Sequence, residues 1–353
     1  MQLLLITLAI VLVFVVIVQV AKAVELISVI KEEDEYRQDI SKSMSFWFAL
    51  TGLFLFAFIA GTAYTEYDKF LPTPASEHGV WIENLIIVTL VFTGVVFLIT
   101  NFLLFFFVWK YRYRKNGRAF YFPDNNKLEL AWTVIPAIVL TVLVAMGIDK
   151  WFKIFSEAPS DAIVLEATAK QFSWYLRYPG ADNELGPRDF TLVNSENELG
   201  VNWNHESSKD DFLSDELVIP VNKPVLVKIG ALDVIHNFYL PEFRLMMDAV
   251  PGLPTKFWFR PTITTAKMRE IKNDPEFDYE LACNQLCGSG HWNMKRTVRV
   301  VTEEEYKVWL SEQKSYYEQN IKAKEEAPAV AATAQDTAAA QVAAADSAIA
   351  KAE

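Results

Sequence analysis

Cys283-Asn-Gln-Leu-Cys287-Gly-Ser-Gly-His291-Trp-Asn-Met294 gathers two thiols, an imidazole and a thioether in one short segment, with a single further histidine, His236, well upstream. Soft thiolate and thioether ligands favour copper, and imidazoles with a weak axial Met are ligands of electron-transfer copper centres. Both cysteines of the chain fall in this motif. Two thiolates shared between two metals leave each ion one histidine, with Met294 a weak axial ligand on one. A main-chain carbonyl near Gln285 can serve the other. Such a centre passes one electron at a time and needs no open coordination position. A disulfide and a structural zinc site remain alternatives for two cysteines four apart. A disulfide leaves His291 and Met294 unexplained, and structural zinc does not usually recruit Met.

Working outward, Asp233-Val-Ile-His236-Asn-Phe-Tyr-Leu-Pro-Glu-Phe-Arg-Leu-Met-Met-Asp248-Ala-Val-Pro-Gly252, followed by the cysteine motif, resembles subunit II of the haem-copper cytochrome c oxidases. The resemblance runs from about Trp81 to Trp309. It implies a cupredoxin, a Greek-key β-sandwich carrying copper on loops at one end, and the binuclear CuA centre. By that resemblance Cys283 and Cys287 bridge, His236 and Met294 complete one copper, and His291 with the carbonyl of Gln285 completes the other. It also implies partners: a catalytic subunit I with haems, subunit III and other oxidase subunits, and a c-type cytochrome donor, with room for a larger respiratory supercomplex.

Four apolar runs, Leu3 to Val20, Phe46 to Tyr64, Leu85 to Trp109 and Leu130 to Ile148, each approach the roughly 20 residues that cross a bilayer as a helix. The first ends at Ala21-Lys22-Ala23, similar to a signal cleavage site but without the positive start such signals carry. Basic residues crowd the connection from Trp109 to Lys127, and Lys22, Lys31, Arg37 and Lys42 lie between the first two runs, whereas only Lys69 lies between the second and third. The positive-inside rule puts the first and third connections in the cytoplasm. Four retained spans then place the copper domain outside, on the periplasmic face of a bacterial inner membrane. The family has two spans, so the leading pair is a departure, read as accessory helices against a neighbouring subunit.

Asn126-Lys-Leu-Glu129-Leu-Ala-Trp132-Thr133-Val-Ile-Pro136 resembles the family's entry to its second membrane helix, where the counterpart of Glu129 sits near a proton-uptake path. By its residues alone the segment reads as a capping box, Asn126 at the N-cap and Glu129 three residues on. Beyond Asp149 the sequence turns to short β-rich runs at Ile163, Glu216, Val225, Lys256 and Thr297, separated by Pro, Gly, Asn and Asp, the pattern of a sandwich or barrel. Asp233 and Asp248 are either acceptors that orient a histidine ligand or turn formers. His78 and His205 are read as ordinary histidines.

Two residues depart from the family. Phe172, in Gln171-Phe-Ser-Trp174-Tyr, occupies the place of the usual electron-entry tryptophan, with Trp174 two residues on, so the electron-entry region is read as Phe172 and Trp174. Gln285 stands where Glu is more common, which puts in doubt the magnesium ion at the subunit boundary, because a neutral amide is a poorer ligand for a hard cation.

The net charge of -11 and the acidic Glu206, Asp210, Asp211, Asp215 and Glu216 suit a basic partner such as a c-type cytochrome, and no basic stripe suggests nucleic acid. Thr302-Glu-Glu-Glu305 opens a helix with a capping box. No Cys-x-x-Cys-His occurs, so the electron is expected from a separate protein or a separate subunit. The expected organisation is a membrane α-helical part followed by an all-β cupredoxin domain: 1–80 with two extra spans, an 81–155 hairpin, a 156–302 copper domain, a 303–326 helix and a 327–353 Ala-rich disordered tail. The function is electron relay from cytochrome c toward haem for oxygen reduction coupled to proton translocation. A quinol oxidase subunit II and a copper storage or delivery protein are the alternatives.

Overall fold

The computed structural model describes residues 2–30, 33–118 and 120–322; the Ala-rich tail lies outside them. One compact unit is helical, drawn from residues up to Pro72 and from Leu85–Met146; the other combines Thr73–Asn84 with the chain from Gly147 on.

The helical unit contains α1 (Gln2–Ile30), α2 (Glu33–Thr65), the single turn α3 (Tyr67–Phe70), and most of α4 (Glu77–Lys110) and α5 (Asn126–Ile154). Three helical segments, Glu35–Thr65, Glu77–Lys110 and Asn126–Ile154, are long and apolar enough to cross a membrane. The apolar windows of the last two bury nothing within the chain, as expected of helices whose solvent is lipid. The apolar α1 is a further helix and covers the first expected run, Leu3 to Val20. Gly52 on α2 lets α4 approach closely: a Cβ there would come within 2.6 Å of the Phe105 ring. Phe48 and Phe56 flank that ring at 4.9 and 6.1 Å between centroids. One face of α2 is therefore occupied by this chain's own α4.

At the start of α5 the structure corrects the cap. Asn125, not Asn126, supplies it, its Oδ1 accepting from the Leu128 N–H at 3.0 Å. Asn126 is already helical, so Glu129 falls one position too late to close a capping box and is left exposed.

The β unit is a sandwich of two five-stranded sheets. The first has the order β3 (Phe212–Ser214), β2 (Ser173–Tyr178), β1 (Ile163–Lys170), β5 (Val225–Ala231), β8 (Thr255–Phe259); the second has β4 (Leu217–Pro220), β10 (Lys295–Val301), β9 (Tyr279–Cys283), β6 (His236–Leu240), β7 (Leu245–Ala249). The five β-rich runs of the sequence fall in β1, β4, β5, β8 and β10. Alternation fixes the inner faces: Leu165, Ala167 and Ala169 of β1 and Val225, Val227 and Ile229 of β5 are buried with Phe238 and Leu240 of β6, Tyr279 and Leu281 of β9 and Val298 and Val300 of β10. Burial of each large apolar side chain contributes about 1.5–3 kcal/mol. Tyr178 joins the sheets, its hydroxyl donating to the Val218 carbonyl at 2.9 Å and accepting from the Val218 N–H at 2.8 Å.

Thr73–Asn84 is stitched to this sandwich. The Ala75 N–H donates to Glu242 O at 2.7 Å, Ser76 Oγ to Phe243 O at 2.7 Å, and the Thr262 N–H to Ala75 O at 2.8 Å.

The acidic group near residue 210 is not one surface. Asp211 is fully buried and pairs with Arg177 at 2.6 Å, while Glu166 takes the same guanidinium at 2.7 Å. Glu216 pairs with Arg299 and Glu206 with Lys209. The capping box at Thr302 and Glu305 forms as expected and opens α7 (Glu303–Glu312). The remaining helix, α6 (Thr265–Lys272), packs Met268 into the core.

Candidate metal centre

Three neighbouring strands of the second sheet deliver the site. His236 opens β6, Cys283 closes β9 opposite Phe238, and Met294 immediately precedes β10. The Cys283 N–H donates to Met294 O at 3.1 Å, so the two ends of the cysteine loop are bonded to each other. The Asn284 N–H donates to Asn237 O at 3.2 Å and holds the loop against β6.

Six donor atoms converge there. Cys283 Sγ lies 3.8 Å from His236 Nδ1, 3.2 Å from the Gln285 carbonyl oxygen and 3.9 Å from Cys287 Sγ. Cys287 Sγ lies 3.6 Å from His291 Nδ1 and 3.9 Å from Met294 Sδ. His236 and Met294 are fully buried, and both cysteines nearly so. The two sulfurs stand well beyond the roughly 2.05 Å of a disulfide bond, and both thiols are free. Burial, and then the neighbouring Cys283 sulfur, push the Cys287 thiol up to about 11. The Cys287 thiol therefore holds its proton at neutral pH until a soft cation displaces it, which is how a thiolate metal site loads. The mixture of sulfur and imidazole donors, with a thioether among them, suits copper better than zinc.

Asp233 settles one open question. Its Oδ1 accepts from His236 Nε2 at 2.8 Å, which fixes the ring and aims Nδ1 at Cys283. Burial alone would raise the Asp233 carboxyl, but hydrogen bonds from the Gln171 N–H, His236 and the Val234 N–H outweigh it and hold the group below its usual range. Asp248 instead accepts from Asn237 Nδ2 at 2.7 Å.

The turn between β1 and β2 forms the lid. Gln171 Nε2 donates to Cys287 O at 2.6 Å. The Phe172 ring lies against Gly288 and Gly290, where an added Cβ would come within 2.9 and 2.5 Å of it. Phe172 is 37% exposed; Trp174 is buried, edge-on to His236 with 6.3 Å between ring centroids. Trp292, next to His291, is 77% exposed. Gln171 and Trp292 lie outside the expected donor and electron-entry residues; the Gly-Ser-Gly run, which marks close approach by another group, is the sequence signal for the lid. His78 is buried among Trp81, Phe257 and Trp258, and His205 bonds Ser207, so neither enters the site. Gln285 exposes its side chain and turns only its carbonyl to Cys283. Glu129 belongs to the helical unit.

Residues 69–148 match the family model of the cytochrome c oxidase subunit II transmembrane domain, and residues 163–301 match that of its periplasmic domain. The chain belongs to the cytochrome c oxidase subunit II family. As a subunit II it is an electron-transfer subunit of an oxidoreductase complex, works with other oxidase subunits, and carries its sandwich outside the membrane. The alternative cytochrome c oxidase subunit 2 of Bradyrhizobium diazoefficiens is 33% identical over 246 residues, covering 69% of this chain and 84% of that one. The cytochrome c oxidase subunit 2 of Cereibacter sphaeroides is 28% identical over 260 residues, covering 68% and 77%. A crystal structure of the periplasmic domain of subunit II of cytochrome oxidase from Bradyrhizobium japonicum is 26% identical and covers 44% of this chain and 95% of its own, with a TM-score of 0.30. Helices α1 and α2 precede the matched residues of this subunit II.

Proposed function

We propose that this subunit II holds a binuclear copper centre of the CuA type in the cluster of His236, Cys283, Gln285, Cys287, His291 and Met294, and through it relays electrons from a c-type cytochrome toward haem in the catalytic subunit. The observation that carries the reading is the convergence of two thiols, two imidazole Nδ1 atoms, a thioether and one carbonyl around the buried Cys283 and Cys287 sulfurs. Copper held there would supply one-electron chemistry without an open coordination position.

The chain's own groups have separable tasks. Cys283 and Cys287 would supply the shared sulfurs, His236, Met294, His291 and the Gln285 carbonyl would complete the donor set, and Asp233 fixes the His236 ring. Phe172 and Gln171 cover the loop and exclude water from it. The exposed rings of Phe172 and Trp292 both border the Gly288 to His291 segment, and large aromatic side chains are the usual anchors of protein interfaces; the donor cytochrome meets the chain there. Trp174 lies beneath, against His236. Gln285 contributes its main chain, and its neutral amide gives magnesium no charged oxygen. Glu129, exposed on the first turn of α5 and free of a capping duty, takes up protons on the cytoplasmic side for translocation by the complex. The sandwich faces the periplasm of a bacterial inner membrane.

Electron paramagnetic resonance of the oxidised full chain, loaded with copper in detergent, tests the assignment. One electron shared over two coppers is the expected signal. A single-copper spectrum, or failure to retain copper, would overturn it.

A further inference from the structure

The turn of Gln171 and Phe172 joins β1 to β2 in the first sheet, whereas the cysteine loop joins β9 to β10 in the second. Gln171 bonds in two directions across that division. Its side-chain Nε2 donates to Cys287 O at 2.6 Å. Its main-chain N–H donates to Asp233 Oδ2 at 2.7 Å, on the connection from β5 to β6 that carries His236. The other oxygen of the same carboxylate accepts from His236 Nε2 at 2.8 Å. A continuous line of hydrogen bonds therefore runs from Cys287 through Gln171 and Asp233 to His236.

The turn is itself anchored on both sides of Gln171. Two residues before it, Ala169 O accepts from the Leu232 N–H at 2.9 Å; two residues after it, Ser173 Oγ accepts from Arg296 Nη2 on β10 at 2.6 Å. Gly288, at φ +139°, lets the amide lie on the loop, since a Cβ there would come within 3.1 Å of Gln171 Nε2. Gln171 is exposed, so the sandwich core does not depend on its bulk. Ordering a long exposed side chain costs rotamer entropy, and its bonds to the two loops are what offset that cost. Those loops serve opposite parts of the donor set: Cys287 Sγ faces His291, and Cys283 Sγ faces His236.

We propose that Gln171 is a positioning residue, a clamp that ties the His236 side of the donor set to the Cys287 and His291 side and holds the two at one spacing. The clamp rests on the copper assignment proposed above. Partners of this kind act on a metal through the ligands they orient.

The test uses the full chain, loaded with copper in detergent. Q171M keeps the length of the side chain and the main-chain bond to Asp233 but removes the amide donor. Release of copper to a chelator should be about tenfold faster than in the parent, with a changed copper hyperfine pattern in electron paramagnetic resonance and an unchanged melting temperature of the metal-free chain. Q171N, whose amide is one methylene short of Cys287 O, should behave alike and carries the test if Q171M fails to fold. A double-mutant cycle with D233A separates one clamp from two independent contacts. Along a single line either loss frees the same two loops, so Q171M/D233A should release copper little faster than D233A alone. Parental release and spectrum in Q171M, or effects that multiply in the double variant, would overturn the clamp while the parent keeps its shared-electron signal. A parent with a single-copper spectrum would instead strike the binuclear assignment, and the clamp with it.

Discussion

His236 donates from Nε2 to Asp233 Oδ1 at 2.8 Å, and this one bond leaves Nδ1 as the nitrogen turned toward Cys283. Replacement of Asp233 by Ala frees the ring to rotate and removes the acceptor that raises its basicity. Loss of such a partner typically lowers metal affinity about 10–100-fold. Competitive copper titration of D233A should show that loss, with the fold unchanged by circular dichroism; copper binding equal to the parent would assign Asp233 to the turn alone.

Phe172 and Trp292 should separate docking from metal chemistry. Trp292→Ala and Phe172→Ala are expected to raise the KM for a c-type cytochrome, Trp292→Ala more because its ring is the more exposed. Reduction of the centre by a small chemical reductant should continue at the parent rate in Trp292→Ala. Unchanged cytochrome kinetics in both variants would move the docking surface elsewhere.

Asn125 caps α5 without Glu129, so the two residues can be tested apart. Asn125→Ala should cost about 1 kcal/mol as an N-cap loss, read in thermal unfolding of the detergent-solubilised chain. Glu129→Gln should leave that unfolding unchanged and slow proton uptake by the assembled oxidase, while reduction of the copper centre keeps its rate. Normal proton uptake in Glu129→Gln would retire the proposed entrance.

Asp211 carries a pH signature. Burial first, only partly offset by the Arg177 guanidinium, raises its carboxyl from 3.8 to about 6. Below pH 3.8 both folded and unfolded chains hold the proton and Asp211 contributes no penalty. As pH rises toward 6 the unfolded chain ionises first, so stability from this residue falls, and above 6 the loss is complete. Asp211→Asn mimics the protonated group. Its melting temperature relative to the parent should therefore climb between pH 4 and 6 and then level off. A gap that widens in favour of the parent would mean that the Arg177 pair outweighs the burial.

The donor set could be read from the sequence because most of it is local: the cysteine motif supplies every ligand except His236. The strands were legible for a similar reason, since alternating apolar residues declare a face without reference to any partner. Other assignments depended on contacts that spacing does not encode. Asp233 and Asp248 looked equivalent, yet Asp248 is paired in register with Asn237, the neighbour of His236, and adjacent strand residues point to opposite faces. Asp211 read as part of an acidic surface because Arg177 is remote in sequence and reaches it only once β2 and β3 pair. The helix cap moved by one residue, within the ordinary uncertainty of element ends.

The bond from the Cys283 N–H to Met294 O closes the cysteine loop on itself. Five of the six donors, Cys283, Gln285, Cys287, His291 and Met294, therefore travel as one self-contained cassette. Grafted between two paired strands of another sandwich, this segment would need only a histidine on the adjoining strand and a ring to roof its glycines.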